Sequence, residues 1–229
     1  MTERYWIAIP AAGRGERFGG STPKQYCSVA GATLLDHCLS VFLEWEFCHT
    51  VVVAVSSDDH QFHQSRFAQH PQVVVVTGGA QRAESVVNCL DYIVSQAGES
   101  DHVMVHDAAR PLLQIAQLEA LRLALQQHQA VILAQPLSDT LKRAEDQLVV
   151  ATLPRDQLWA AQTPQCASVS VLRSALSSCL NRGLTVTDEA SALEAANIPV
   201  YLVAGPRRNF KVTWPEDLAL VQQVLENQR

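Results

Sequence analysis

Residues 5–19 read YWIAIPAAGRGERFG, an apolar run of five that passes directly into a loop of small residues, glycines and arginines. A continuous apolar run, rather than an alternating one, is typical of a strand buried on both faces of a sheet. Comparable runs occur at 51–55, 73–76, 102–106, 130–134 and 199–203. The sequence therefore predicts a sheet built mainly of parallel strands.

Segments with helical spacing of apolar residues separate most of these runs. One apolar stripe begins at Leu34 and ends at Leu43, a second spans 86–94, and a third spans 118–125. Alternation of strands and helices predicts right-handed crossovers, hence an α/β fold with a Rossmann-like, mostly parallel sheet flanked by helices. Ligands of such folds bind at the carboxyl ends of the strands.

Length and composition limit the possible functions. A chain of 229 residues fits a single domain, 1–229, large enough to fold without disulfides or structural metal. The net charge of −6 argues against nucleic acid as a partner. No basic leader precedes an apolar stretch, and no apolar run is long enough for a bilayer, so we expect no membrane association and a cytoplasmic location.

The metal-binding side chains are scattered. The six cysteines form no CxxC pair, which indicates reduced, buried thiols rather than a disulfide framework or a zinc site. The close pair His60 and His63 lies in a polar stretch, and we interpret it as a solvated surface.

Residues 135–158 do not follow the strand–helix pattern. Two extended pieces, 139–143 and 148–153, flank a polar turn at 144–147, which predicts a β-hairpin. Such a hairpin has no place in the central sheet, so we expect a projecting β-arm that mediates dimerisation through its apolar side. An edge hairpin folded back on its own domain is the alternative.

The loop after the first strand matches neither of two familiar phosphate loops. No Lys-Ser or Lys-Thr pair follows its glycines, and Phe18 stands where the dinucleotide fingerprint requires a glycine. Its small residues still allow backbone N–H groups to approach an anion, and Arg14, Arg17 and Lys24 add positive charge. This combination suits a triphosphate. The alternative is a plain turn with solvated arginines.

The sequence contains only three lysines, and two of them adjoin candidate ligand loops. Lys24 closes the first loop, whereas Lys211 follows the last predicted strand. Thr213 and Glu216 have the spacing of a capping box, which predicts that Thr213 begins the final helix and fixes the backbone beside Lys211. An ordinary exposed lysine is the alternative.

Two further loops follow predicted strands. In residues 77–85, glycines allow a base or ribose to approach closely, and Ser85 offers a hydrogen bond. In residues 106–111, Asp107 suits either a metal ligand or an acceptor for a sugar hydroxyl. A capping role for Asp107 and a surface ion pair for Arg110 are the structural alternatives.

These motifs occur in an order that resembles the 2-C-methyl-D-erythritol 4-phosphate cytidylyltransferase family over nearly the whole chain. The matching segments are the loop 10–19 with PKQ at 23–25, the turn at 78–85, HDAARP at 106–111, TPQ at 163–165, TDEASAL at 187–193 and KVTWPEDL at 211–218. The resemblance implies that CTP and methylerythritol phosphate give 4-diphosphocytidyl-2-C-methyl-D-erythritol and pyrophosphate, with Mg²⁺ and a homodimer joined through β-arms.

The resemblance also implies roles for individual residues. Those expected to bind CTP are Ala11, Ala12, Gly13 and Gly15 at the triphosphate, with Gly79 and Ser85 at the cytosine. Those expected to act in catalysis are Arg17 and Lys24, which would stabilise the transition state, and Arg155 and Lys211, which would position the sugar phosphate. The substrate pocket would be completed by Asp107, Arg110, Thr140 and Thr163, with Thr140 and Arg155 contributed by the partner's arm and Asp107 also a candidate metal ligand.

Two positions depart from the family pattern. Ala80 stands where relatives often have an acidic or polar residue, and Pro154 stands where an acidic residue often precedes the arginine. The first removes a side-chain contact, and the second alters the local geometry of the arm.

The chemistry of the residues agrees with this resemblance. A sugar phosphate is mostly a dianion at neutral pH, so its attack on a triphosphate requires cations rather than a general base. The sequence has no nucleophile–base motif such as GxSxG or HExxH. Two other functions stay open: transfer to another polyol phosphate such as ribitol 5-phosphate, and a nucleotide-binding module without catalysis.

Overall fold

The structure is a computed structural model that describes residues 3–13, 15, 18–19, 22–98 and 101–227. Arg17, one of the expected catalytic residues, lies outside the described residues, as does Arg14.

Eleven strands, six α-helices and two short 3-10 helices, Lys24–Tyr26 and Phe62–Gln64, make up the described fold. The strands are β1 (Tyr5–Pro10), β2 (Ser28–Val29), β3 (Ala32–Thr33), β4 (Cys48–Val55), β5 (Val73–Thr77), β6 (His102–Val105), β7 (Ala130–Pro136), β8 (Leu141–Glu145), β9 (Leu148–Leu153), β10 (Trp159–Ser168) and β11 (Val200–Ala204). The helices are α1 (Leu34–Leu43), α2 (Arg82–Val94), α3 (Ile115–Leu125), α4 (Val169–Asn181), α5 (Glu189–Ala195) and α6 (Asp217–Glu226).

Seven strands form the central sheet in the order β11-β7-β10-β6-β1-β4-β5. Within this described sheet, neighbouring strands run parallel except at β10, which is antiparallel to both β6 and β7. All six predicted strands and all three predicted helices are present. The predicted α/β class, a mostly parallel sheet flanked by helices, is confirmed.

The central strands β1, β4, β6 and β7 are mostly buried, which explains their continuous apolar runs. The edge strands β5 and β11 are partly exposed, contrary to the expectation that every apolar run is buried on both faces. In β1, the side chains of Tyr5, Ile7 and Ile9 pack in a core with α1 and α3, whereas those of Trp6 and Ala8 pack in a second core with α2 and α4. Each side chain of β1 is therefore buried on one face of the sheet or the other, and no polar residue interrupts the apolar run.

Strand β10 was not predicted, because WAAQTPQCAS contains no run of β-branched residues and includes Pro164. Its pairing with β7 is interrupted where residues 162–164 lie opposite the single residue Leu133. This bulge bends β10 beside the carboxyl end of β6. Gln162 and Thr163 line the candidate site at this point.

The predicted hairpin is present as a separate two-stranded sheet of β8 and β9. Its turn lies at Asp146 and Gln147, both with positive φ, and its first strand begins two residues later than predicted. Leu148 is 72% exposed and Val149 is 56% exposed. The hairpin therefore projects from the sheet rather than folding back on it, whereas its role in dimerisation stays a prediction.

The predicted start of the last helix was wrong. Helix α6 begins at Asp217, and the Asp217 carboxylate accepts hydrogen bonds from the backbone N–H groups of Thr213 (2.7 Å) and Trp214 (2.9 Å). The Thr213 hydroxyl instead donates to the Lys211 carbonyl at 3.0 Å. The backbone after Lys211 is thus held by an aspartate from within the helix. None of the described helices is both long and apolar enough to cross a bilayer.

We predict that the core between the sheet and α2 makes a large contribution to stability. Leu90 in α2 is fully buried, so Leu90→Ala should lower the free energy of unfolding by about 2–5 kcal/mol in urea titrations. Leu123 in α3 is 52% exposed, and the matched variant Leu123→Ala should change it by less than about 0.5 kcal/mol. Equal losses in the two variants would contradict this assignment of the core.

Candidate active site

A cleft of about 230 Å³, open to solvent, lies where β1, β5 and β6 end. Its walls come from the segment that follows each strand: residues 10–13 and 15, residues 79–82 with Ser85, and residues 107–109. Lys24, Gln25 and Lys211 complete the lining. The carboxyl ends of parallel strands thus meet at one ligand-sized cavity, as expected for this fold class.

Close packing requires glycine in the second of these segments. A Cβ atom at Gly78 would stand 2.4 Å from the Cβ of Ala12, and one at Gly79 would stand 2.3 Å from the Cβ of Glu84. The Gly79 N–H also donates to the Ser85 hydroxyl at 3.0 Å. The glycine turn therefore lies directly against the loop after β1, so that the two segments form one wall of backbone.

Two of the three lysines line this cleft, as expected. The Lys24 ammonium donates to the Val212 carbonyl at 3.0 Å, one residue beyond Lys211. The Lys211 ammonium lies 2.8 Å from Asp107 Oδ2. Lys24 and Lys211 are 187 positions apart in the sequence, and the hydrogen bond to Val212 joins their two segments directly.

The Asp107 carboxylate is the centre of a cluster of cations. Besides Lys211, it contacts Arg82 Nε at 2.9 Å through Oδ1 and Arg110 Nε at 3.8 Å through Oδ2. Burial alone would raise the pKa of Asp107, but Arg82, Lys211 and Arg110 outweigh burial and hold the pKa well below its usual range. Asp107 is therefore ionised throughout the neutral range.

A second carboxylate completes this cluster. Arg82 forms a bidentate pair with Glu189, with distances of 2.7 and 3.1 Å between the terminal nitrogens and the two carboxylate oxygens. Burial would lower the pKa of Arg82, but Glu189 and Asp107 together raise it. Neither Arg82 nor Glu189 was predicted as a site residue, because their pairing joins residues 107 positions apart.

A second cleft adjoins the first and shares three of its residues, Arg82, Asp107 and Lys211. Its remaining lining consists of Arg110, the bulge of β10 and the turn before α5: Ala161, Gln162, Thr163, Gln165, Thr187 and Asp188. The expected substrate-binding residues Asp107, Arg110 and Thr163 all lie here. Two ligands can therefore meet across a boundary formed by charged side chains.

Thr163 is placed by a buried histidine. The Thr163 hydroxyl accepts the Asp107 backbone N–H at 3.0 Å and lies 3.0 Å from His106 Nδ1, while His106 Nε2 lies 3.1 Å from the Arg110 carbonyl. Burial lowers the pKa of His106 to about 4. A neutral His106 therefore ties the bulge of β10 to the turn after β6.

Two expected site residues lie away from both clefts in the single chain. Thr140 and Arg155 lie at the base of the hairpin and are exposed, and the Arg155 guanidinium donates to the Ser138 carbonyl. Their expected roles require a second subunit.

The described residues provide no ready metal site from side chains. Within the described part of the chain, no group of three or more histidine, cysteine or acidic side chains could hold a metal ion. Asp107, the candidate ligand, already has cationic partners at both carboxylate oxygens. A magnesium ion in the first cleft would therefore take its ligands mainly from phosphate oxygens and water, as is common for Mg²⁺ in phosphoryl-transfer sites.

A mostly parallel α/β sheet, a cradle of small residues at the first strand and converging cations at the strand ends define a nucleotidyltransferase. Residues 6–227 match the family model described as 2-C-methyl-D-erythritol 4-phosphate cytidylyltransferase. The chain belongs to this family.

Individual relatives agree over almost their whole length. The chain is 46% identical to the 2-C-methyl-D-erythritol 4-phosphate cytidylyltransferase of Haemophilus influenzae strain 86-028NP, over 97% of this chain and 96% of the relative. It is 43% identical to that of Vibrio vulnificus strain YJ016, over 96% and 94%. The crystal structure of the Francisella tularensis enzyme superposes with a TM-score of 0.85 at 35% identity, covering 96% of this chain and 99% of that one.

We predict that the buried His106 makes stability depend on pH. Its pKa is about 4 in the folded chain, against 6.5 ordinarily, so below pH 6.5 only the unfolded chain takes up a proton here. Its contribution is fully present above pH 6.5 and is lost as the pH falls towards 4. In urea titrations between pH 4 and 7, His106→Gln should show a shallower decline than the parent chain.

The control is Leu123→Ala, which removes an exposed side chain that does not titrate and should leave the pH dependence of the parent chain unchanged. An identical decline in His106→Gln and the parent chain would show that His106 is not held neutral.

Proposed function

We propose that this chain transfers the cytidylyl group of CTP to 2-C-methyl-D-erythritol 4-phosphate, releasing pyrophosphate and forming 4-diphosphocytidyl-2-C-methyl-D-erythritol. The observation that supports this most is the pair of adjoining clefts with Arg82, Asp107 and Lys211 at their boundary. A nucleotide fits the first cleft and a sugar phosphate the second, so that the attacking oxygen and the α-phosphate meet between them.

In the nucleotide half, we assign the triphosphate to the backbone of Ala11, Ala12, Gly13 and Gly15. These residues follow β1 and have no bulky side chain that would keep an anion from the backbone N–H groups. The cytosine is assigned to the wall formed by Gly79 and Ser85, where Ala80 offers only its backbone. Lys24 and Arg17 are assigned to the charge that develops on the α-phosphate and the departing pyrophosphate.

In the acceptor half, we assign the phosphate of the sugar to Lys211 and its hydroxyls to the polar groups around Asp107. The phosphate dianion attacks the α-phosphorus, the bond to the bridging oxygen breaks, and pyrophosphate leaves with the electron pair. No proton is removed from the nucleophile, which agrees with a site built from cations. The Lys211 ammonium has three N–H donors, so it can bind the phosphate while keeping its contact to Asp107.

Magnesium is the proposed metal cofactor, bound chiefly through the phosphate oxygens of CTP. When bound, it would neutralise part of the triphosphate charge and help pyrophosphate to leave. The described side chains add the fixed positive charges of Lys24 and Lys211 on either side.

We propose that the active form is a homodimer in which each arm, residues 135–158, reaches the partner's acceptor cleft. The exposed apolar side chains of β9, led by Leu148 and Val149, supply a surface for burial between subunits. Thr140 and Arg155 would then enter the site from the partner. The six free cysteines suit a reducing compartment, and we place the reaction in the cytoplasm.

The substrate assignment is tested by pyrophosphate release from CTP with a panel of acceptors. Turnover should require both methylerythritol phosphate and Mg²⁺, and kcat/KM should be highest with this acceptor. Preference for ribitol 5-phosphate would show that the assignment of the acceptor is wrong, while the assignment of CTP would stand. CTP binding without turnover on any acceptor would leave only a nucleotide-binding module.

The exchange of arms is tested with two variants that should each be strongly impaired alone. Arg155→Met should raise KM for the sugar phosphate or lower kcat, with little change in CTP binding, and Lys211→Met should do the same. In an equal mixture of refolded chains about half of the dimers are mixed, and each mixed dimer has one intact site of two. Activity should therefore return to about a quarter of the parent value.

The matched control is a chain that has both substitutions. Mixing this chain with either single variant should restore no activity. Failure of Arg155→Met and Lys211→Met to restore each other in proven mixed dimers would place Arg155 in its own subunit's site or outside both.

A further inference from the structure

Glu189 is a buried carboxylate that lies next to the candidate site without lining it. It is the first residue of α5, is 1% exposed, and contributes to neither of the two described clefts. Both of its oxygens are engaged by one side chain, Arg82, at 2.7 and 3.1 Å. A buried carboxylate needs such pairing, but hydrophobic packing would serve stability as well.

The pairing of Glu189 fixes the orientation of Arg82. The two terminal nitrogens of the guanidinium face Glu189, while Nε alone faces Asp107 at 2.9 Å. Arg82 lines both clefts, so its terminal nitrogens would otherwise be available to phosphate oxygens. Guanidinium groups bind phosphate strongly through paired nitrogens, and Glu189 occupies that pair.

Arg82 in turn determines how Asp107 is shared. Its Nε binds Oδ1, which leaves Oδ2 to Lys211 at 2.8 Å and to Arg110 at 3.8 Å. A guanidinium released from Glu189 could take both oxygens of Asp107 and displace Lys211. One continuous network of ion pairs therefore joins four side chains, in the order Glu189, Arg82, Asp107 and Lys211.

We propose that Glu189 is a positioning residue for cytidylyl transfer. It keeps the paired nitrogens of Arg82 away from the phosphates, and it thereby preserves the contact between Asp107 and Lys211. This inference rests on the proposed function. Glu189 touches neither substrate; it acts through Arg82. The cluster has three cations, Arg82, Arg110 and Lys211, against the two anions Asp107 and Glu189, so its net charge is 3 − 2 = +1.

This proposal predicts that Glu189→Gln lowers kcat without raising either KM. Loss of one negative charge raises the positive charge of the clefts, and a freed Arg82 can bind phosphates in the ground state. Neither KM should therefore rise. The misplaced Arg82 and Lys211 should lower kcat by about tenfold to a hundredfold.

The experiment measures kcat, both KM values and the melting temperature for the parent, Glu189→Gln, Glu189→Asp and Arg82→Gln. A lower kcat with unchanged or lower KM, partly restored in Glu189→Asp, supports the proposal. A kcat within twofold of the parent overturns it, and so does a rise in either KM, whatever the melting temperature. Absence of turnover in the parent chain with CTP and methylerythritol phosphate would count against the proposed function, not against Glu189.

A double-mutant cycle tests whether Glu189 acts through Arg82. If it does, the chain with both Glu189→Gln and Arg82→Gln should be no slower than Arg82→Gln alone, and additive losses would overturn the proposal. Should Glu189→Gln not fold, the cycle is run with Glu189→Asp and judged in the same way. The control is Glu119→Gln in α3, which removes another arginine pair, Arg122 Nε to Glu119 at 2.9 Å, and should leave kcat unchanged.

Discussion

One buried carboxylate, Asp107, holds the two halves of the site together. Taking an ion out of water costs several kcal/mol unless partners replace the lost hydration, so the side chains around it cannot be placed independently. Its partners come from the start of α2, from the turn after β6 and from the segment after β11. The folded chain thereby gathers cations that would repel one another without Asp107. In the proposed reaction, a triphosphate and a sugar phosphate would replace part of that pairing.

The backbone around Asp107 meets a different constraint, which is the need for space. Gly78 lies against Ala12, and Gly79 lies against Glu84, at distances that leave no room for a side chain. Rigid, closely packed backbone segments can direct N–H groups at a ligand with little loss of conformational freedom on binding. The site therefore combines ion-paired side chains with a closely packed backbone wall.

The sequence predicts local features of this molecule much better than its long-range pairings. The positions of six strands, three helices and the hairpin follow from apolar patterns, and the meeting of Lys24 with Lys211 follows from the rule that strand ends converge. The same patterns did not reveal that the edge strands β5 and β11 are partly exposed. Strand β10 was missed because Pro164 and the bulge at 162–164 disrupt any strand pattern. The pair of Arg82 and Glu189 was missed because an ion pair between distant residues leaves no periodic signal.

The two ends of the hairpin differ in how freely the length of the strands can change. Thr140 and Arg155 lie at its base, near the point where Leu137 and Leu158 hydrogen-bond across it, whereas Asp146 and Gln147 form its tip. Because side chains alternate between faces, adding two residues to each strand at the tip lengthens the hairpin and leaves every base residue on its original side. Natural variation in the length of this element should therefore accumulate at the tip, where it leaves the placement of Thr140 and Arg155 unchanged.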